Sequence, residues 1–308
     1  MLDSVIVSKA PGKVILLGEH FVVHGSLALS MAIDRFAYAY AHRSTEEKII
    51  LKLSNGQEID VLNSEVDHIR NFFAILKREF NLPTMEIEIR LDFPISAGLG
   101  SSASIGYTLT DIAFKCRYGV AAPRNILYHY VKLMEEIVHK APSGIDSTTV
   151  VNGGIILFKK ERGIVESIKR TDLKILVVDS GERRITGDLV KKVTCYIHEV
   201  GEEAFKSIIE TVNTLVLEAV KSINEMDYKR LGYLMDLNQH YLRALNVSTN
   251  TIDYIIDILH ENGAFGAKLT GAGGGGCVIS LVPDDKMDCI ENVLRREGFA
   301  YFIVRPYI

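Results

Sequence analysis

The chain has 308 residues, 47% of them hydrophobic and 24% charged, with a formal net charge of -4. That length suits one large domain or two ordinary ones, and the balance is that of a globular protein rather than of a basic nucleic-acid or anionic-membrane binder. Four cysteines (Cys116, Cys195, Cys277 and Cys289) are scattered without a CxxC pair, which argues against a zinc site or a disulfide framework. The opening stretch lacks the charged start and long apolar core of a signal peptide, and no window approaches the roughly 18 uncharged apolar residues of a membrane span. The expectation is a cytoplasmic protein with no membrane or nucleic-acid partner.

In chain order, Val14–Leu17 reads as a strand, and further strands are predicted over 36–41, 48–53 and 85–91. Between the last two, Val66, Ile69, Phe72, Phe73, Leu76 and Phe80 recur at helical spacing and predict a helix over 65–80. Helices follow over 102–117 and 124–139, the latter opened by Pro123 at a first-turn position. Gly153-Gly154 punctuates the chain before a strand at Ile155–Lys159. Beyond a break placed between 160 and 172, the pattern restarts with an apolar strand at Leu173–Val178. Helical stretches are predicted over 187–224, 227–245 and 250–262, then strands 265–270 and 277–282, helix 284–297 and strand 300–305. Strands and helices mix without strict alternation, so the expected class is α+β, divided into domains 1–168 and 169–308.

Glycine-containing segments stand out at 9–25, 94–104 and 266–276. The middle one, Pro94-Ile95-Ser96-Ala97-Gly98-Leu99-Gly100-Ser101-Ser102-Ala103-Ser104, lies between a strand and a helix. Gly98 and Gly100 permit backbone angles closed to other residues. Ser101 or Ser102 can serve as N-cap, and the free amides and helix dipole suit a phosphate. A plain capped helix after a tight turn reads the same residues equally well. There is no Walker GxxxxGK[ST] and no Rossmann third glycine.

Lys13 precedes the first strand and Glu19 and His20 end it, where polar groups can face a cleft or simply the surface. Asp146, in Pro142-Ser143-Gly144-Ile145-Asp146, reads as a helix-opening carboxylate or an N-cap. Glu135 and His139 are four apart on one helical face, where a carboxylate can ligate magnesium or stay solvated. The run Thr270-Gly271-Ala272-Gly273-Gly274-Gly275-Gly276 reads better as a loop closely approached by a backbone or ligand than as a linker.

Together these segments resemble the GHMP kinase superfamily. Its motifs are matched in order by Ala10–His20, Pro94–Ala103 and Thr270–Gly276. Within the superfamily, Ala10–Gly25, the PSGID segment ending at Asp146 and the Arg184-x-Thr186 element are similar to the mevalonate kinases. Two departures are visible: Lys140 follows His139 where glycine is usual, and Leu17 stands where His or Phe is frequent.

The resemblance implies a two-domain fold, with an N-terminal half like ribosomal protein S5 domain 2 and a ferredoxin-like α+β C-terminal half. It implies transfer of the ATP γ-phosphoryl group to the C5 hydroxyl of (R)-mevalonate, a step of isoprenoid biosynthesis, with Mg2+ as cofactor. Asp146 is then the catalytic carboxylate and Lys13 the cation that steadies the developing alkoxide. Residues Pro94 to Ser104 wrap the nucleotide phosphates, and Ser102 and Glu135 hold the metal. Glu19, His20, Arg184, Thr186, Gly271 and Ala272 line the substrate side, and a homodimer is expected. Other GHMP kinases, phosphomevalonate kinase foremost, and a non-catalytic nucleotide-binding regulator on the same fold are the alternative readings.

Overall fold

The computed structural model describes residues 5–138, 142–168, 171–182 and 186–308, with backbone only at 186–188 and 190. In chain order the elements are β1 (Ile6–Leu17), β2 (Leu27–Arg43), β3 (Lys48–Lys52), β4 (Glu58–Asp60), α1 (Asp67–Glu79), β5 (Met85–Leu91), α2 (Ser101–Tyr118), α3 (Arg124–Val138) and α4 (Ile145–Asn152). There follow β6 (Ile155–Lys159), β7 (Gly163–Ile168), β8 (Ile175–Asp179), α5 (Thr186–Val200), α6 (Glu202–Asn224), α7 (Tyr228–Ala244), α8 (Asn250–Glu261), β9 (Gly266–Leu269), β10 (Cys277–Leu281), α9 (Met287–Glu297) and β11 (Ala300–Val304). Among the described residues, no helix is long and apolar enough to cross a membrane.

Packing groups the chain into two compact units. The first comprises the described residues up to Gly12, Asp34–Ile95 and Gly100–Gly153; the second comprises Lys13–Ile33, Ser96–Leu99 and the described residues from Gly154 onward. Both β1 and β2 therefore run from one grouping into the other.

In the first unit, β5 pairs antiparallel with the second half of β2 and parallel with β3, and β3 pairs antiparallel with β4. The alternation of Met85, Ile87, Ile89 and Leu91 inward with Glu86, Glu88 and Arg90 outward sets the face of β5. Helix α1 buries Ile69, Phe72, Phe73 and Leu76, the stripe predicted from its spacing. Val131 and Leu127 of α3 and Ala103 of α2 join Val150 and Val151 of α4 in one apolar cluster.

In the second unit, a four-stranded antiparallel sheet has the order β11-β8-β10-β9. Helix α7 lies directly on β9: an added methyl on Gly266 would come within 2.0 Å of the Gly232 carbonyl oxygen. Only two glycines allow backbones this close. The first half of β2 pairs antiparallel with β6, which pairs in turn with β7.

The structure departs from the sequence reading at a few places. The helical stretch 187–224 is two helices, α5 and α6, parted at Gly201, whose φ of 82° and ψ of 154° no helix accommodates. Strand β2 has 17 residues where 36–41 was expected. Strand β7 stands within the 160–172 stretch, and β1 starts before the Pro11-Gly12 pair rather than after it.

Candidate active site

The phosphate-loop motif is built on backbone conformation. Ser96, Gly98 and Gly100 all have positive φ, at 60°, 85° and 76°. The N-cap of α2 is Gly100 itself, with no side-chain hydrogen bond to the first turn, so neither Ser101 nor Ser102 takes the capping position expected of them. Ser101 is instead the first helical residue and buried, while Ser102 is half-buried. A glycine at this position brings no side chain of its own to the first-turn amides at the positive end of the helix dipole. Ser104 is fully buried, with its hydroxyl 2.7 Å from the Pro11 carbonyl and 3.0 Å from that of Gly100. It ties the helix to β1.

Also in the first unit, α4 starts the same way, at Gly144 with φ 82° and no side chain to cap it. Here the cap comes from another helix. Glu135 of α3 accepts from the Gly144 amide at 3.1 Å and from the Ser147 amide at 3.3 Å, one on each carboxylate oxygen. Asp146 lies in that first turn, half-buried, and Glu135 is 4% exposed. Burial first, and the Asp146 charge second, push the Glu135 carboxyl up to about 7, against the pull of its amide donors. Two carboxylates so close repel when both are ionised, and a cation relieves that repulsion. Among the described residues, no three His, Cys, Asp or Glu side chains converge as a metal cage. A hydroxyl at Ser102 and carboxylates at Glu135 and Asp146 are nonetheless hard oxygen donors of the kind Mg2+ takes from a protein when phosphate oxygens complete its shell.

In the second unit, Lys13 is 2% exposed and its amide donates to the Leu99 carbonyl at 2.9 Å, joining the first motif to the Ser96–Leu99 segment of the second. The Gly18-Glu19-His20 turn follows. Gly18 has no room for a methyl, which would meet the Leu27 carbonyl oxygen at 2.5 Å. Phe21 anchors the turn, with its ring 6.1 Å from that of Phe205 and 6.2 Å from that of Tyr241. His20 has a φ of 61° and places Nε2 2.9 Å from the Ala272 carbonyl oxygen. Thr270 bridges to β1, accepting from the Ile15 amide at 2.8 Å.

The glycine run that follows is enclosed by main chain. A methyl on Gly273 would lie 2.3 Å from the Val247 carbonyl oxygen, one on Gly275 2.7 Å from that of Glu182, and one on Gly276 2.9 Å from that of Ala97. Of the two approaches the sequence left open, the backbone one explains these three positions. Hydrogen bonds fix the path: Gly274 donates to Val247, Gly276 to Glu182, and Cys277 to Ala97.

The structure thus gathers Glu135 with Asp146 in one unit, and Lys13, Glu19, His20, Ala272 and the Ser96–Leu99 segment in the other. Arg184, His139 and Lys140 lie outside the described residues, and Thr186 is described for its backbone alone. Sequence reasoning missed Lys268 and Asn238. Lys268 is fully buried and ion-paired with Glu19, and Asn238 of α7 accepts from the Gly18 amide at 3.1 Å. A lysine inside the apolar run ahead of Thr270 was the available signal; Asn238, mid-helix, offered none.

Family models match over residues 67–154 for the GHMP kinase N-terminal domain and 219–299 for the C-terminal domain, and a galactokinase galactose-binding signature matches residues 3–43. A mevalonate kinase of Aeropyrum pernix is 33% identical over 311 residues, covering 96% of this chain and 94% of that protein. The chain belongs to the mevalonate kinase family of GHMP kinases. The crystal structure of Methanococcus jannaschii mevalonate kinase matches with a TM-score of 0.83 at 29% identity, covering 100% of both chains. That of L. major mevalonate kinase in complex with R-mevalonate matches with a TM-score of 0.83 at 25% identity, covering 99% of this chain and 98% of that one. Full-length coverage makes the α+β fold that of the family, with both GHMP kinase halves present.

Proposed function

We propose that this protein transfers the γ-phosphoryl group of ATP to the C5 hydroxyl of (R)-mevalonate, giving 5-phosphomevalonate and ADP. The observation that carries this is likeness to mevalonate kinases along 96% of the chain, with Lys13, Glu135 and Asp146 at their motif positions.

In this reading Asp146 takes the proton of the attacking hydroxyl. The new oxygen–phosphorus bond forms as the bond from γ-phosphorus to the bridging oxygen breaks, and ADP leaves. Lys13 steadies the charge growing on the acceptor oxygen. The Pro94–Ser104 segment holds the nucleotide phosphates, supported by the amide end of α2. Ser104 serves this by fixing the loop. Ser102 and Glu135 would hold Mg2+, which when bound offsets the charge of the triphosphate. His20, Arg184, Thr186, Gly271 and Ala272 are assigned to the acceptor side. The division into domains 1–168 and 169–308, a homodimeric state and a cytoplasmic location belong to the same proposal.

The test is a substrate panel with purified protein, ATP and Mg2+, read by coupled ADP detection. Mevalonate is expected to give the highest kcat/KM among mevalonate, phosphomevalonate, homoserine and galactose. Galactose is in the panel because of the signature over residues 3–43. Faster turnover of any other acceptor overturns the proposal.

A further inference from the structure

Lys268 belongs to β9, whose residues are all buried. Its side chain is 0% exposed, and its ammonium group is ion-paired with the Glu19 carboxylate, which is 1% exposed. The same ammonium donates to the Leu269 carbonyl at 2.5 Å. The second oxygen of Glu19 receives the Asn238 side-chain amide at 3.4 Å, and the Asn238 carbonyl oxygen in turn receives the Gly18 amide at 3.1 Å. Both carboxylate oxygens of Glu19 are therefore engaged inside the protein.

Such a network is a poor way to gain stability. Two charges withdrawn from water recover their solvation only through each other, and apolar side chains of the same volume often serve as well. Burial pushes the Glu19 carboxyl up and the Lys268 ammonium down, and in each case the partner's charge opposes the push. What a directional buried pair can add is a fixed alignment of the segments it joins. Here those segments are the Gly18–His20 turn and Lys268–Ala272. Each carries residues assigned to the acceptor side: His20 on one, Gly271 and Ala272 on the other. The 2.9 Å approach of His20 Nε2 to the Ala272 carbonyl oxygen joins the same two segments, with His20 at a φ of 61°.

We infer that Lys268 is a positioning residue for phosphoryl transfer, acting through Glu19 to hold the Gly18–His20 turn against the Leu269–Ala272 segment. The inference rests on the mevalonate kinase reading and refines it: Glu19 orients the acceptor side without touching the acceptor.

A double-mutant cycle tests this. Wild-type protein is assayed first; no ADP release with ATP, Mg2+ and mevalonate would sink the phosphotransfer reading itself, independently of Lys268. Lys268→Met, Glu19→Gln, the double variant and Asn238→Leu are then compared per folded protein, with folding followed by circular dichroism. Each single variant is expected to lower kcat/KM for mevalonate by about tenfold or more, with the KM for ATP within about twofold of wild type, because the damage falls on the acceptor side. The double variant is expected within about twofold of the worse single, since residues acting as one unit are not additive. With Lys268→Met folded, two outcomes overturn the inference. One is a Lys268→Met protein whose melting temperature falls while its kcat/KM stays that of wild type. The other is a double variant whose loss equals the product of the single losses, which makes Glu19 an independent acceptor contact. If Lys268→Met does not fold, Asn238→Leu decides: it removes the other support of the same turn, and unchanged acceptor kinetics overturn the inference.

Discussion

Asp146 lies in the first turn of α4 and Glu135 meets that turn from α3, yet they are asked to do different things. Glu135 accepts two amides at the helix start, so it shapes the loop that presents Asp146. For Asp146→Asn the expected loss in kcat is on the order of 10²–10⁴, the range for removing acid–base help, with folding intact. Near-wild-type turnover in a steady-state assay would dismiss its role. Glu135→Gln is expected to raise the Mg2+ concentration needed for half-maximal rate, read from a metal titration at saturating ATP. At this scale motif and residue type single out Lys13, Ser102, Glu135 and Asp146 as candidates, and the structure shows Glu135 meeting the helix turn that carries Asp146. The sequence was silent on partnership. Nothing in the pattern said that Glu135 caps α4, because that contact depends on how the chain turns between α3 and α4, or that Glu19 turns inward to Lys268, because that contact joins positions far apart in the chain.

Among the elements, most strands and helices were legible from periodicity, since each presents one apolar face. Those that were not have physical reasons. Strand β7 is exposed along most of its length and shows no alternation. The first half of β2 is buried almost continuously, so period two disappears. Pro11 and Gly12 precede the predicted Val14–Leu17 strand but lie within β1. The glycine loop gives a sharp test of packing. Gly273→Ala places a methyl 2.3 Å from the Val247 carbonyl oxygen at a φ of 72°, and a destabilisation of about 2 kcal/mol or more is expected. Urea unfolding of the variant measures it; Gly56→Ala, with open space around it at a φ of 85°, is the control that isolates backbone strain from collision.

For the molecule as a whole, stability is tied to pH and to ligands. His260 Nε2 lies 3.1 Å from Asp236 Oδ1, which also receives the Ala267 amide at 2.8 Å. The Asp236 hydrogen bond, opposed by partial burial, raises the His260 pKa above 6.5. A raised histidine stabilises fully below its unfolded pKa and loses that contribution as pH climbs through the folded value. The side chain is 39% exposed, so the contribution is on the order of 0.5 kcal/mol after screening. His260→Gln should therefore lower the melting temperature at pH 6 and leave it nearly unchanged at pH 8.5, by scanning calorimetry. Ligands act on the same balance: a nucleotide that binds only the folded state raises the melting temperature with its concentration. How large that gain can be depends on what the binding loops must surrender. The Gly273–Gly276 path is already set by carbonyls of Val247, Glu182 and Ala97 before any ligand arrives. Its ordering entropy is lost once, during folding, and is not charged again at each catalytic cycle, so a mobile-looking run of glycines behaves in turnover as a rigid part.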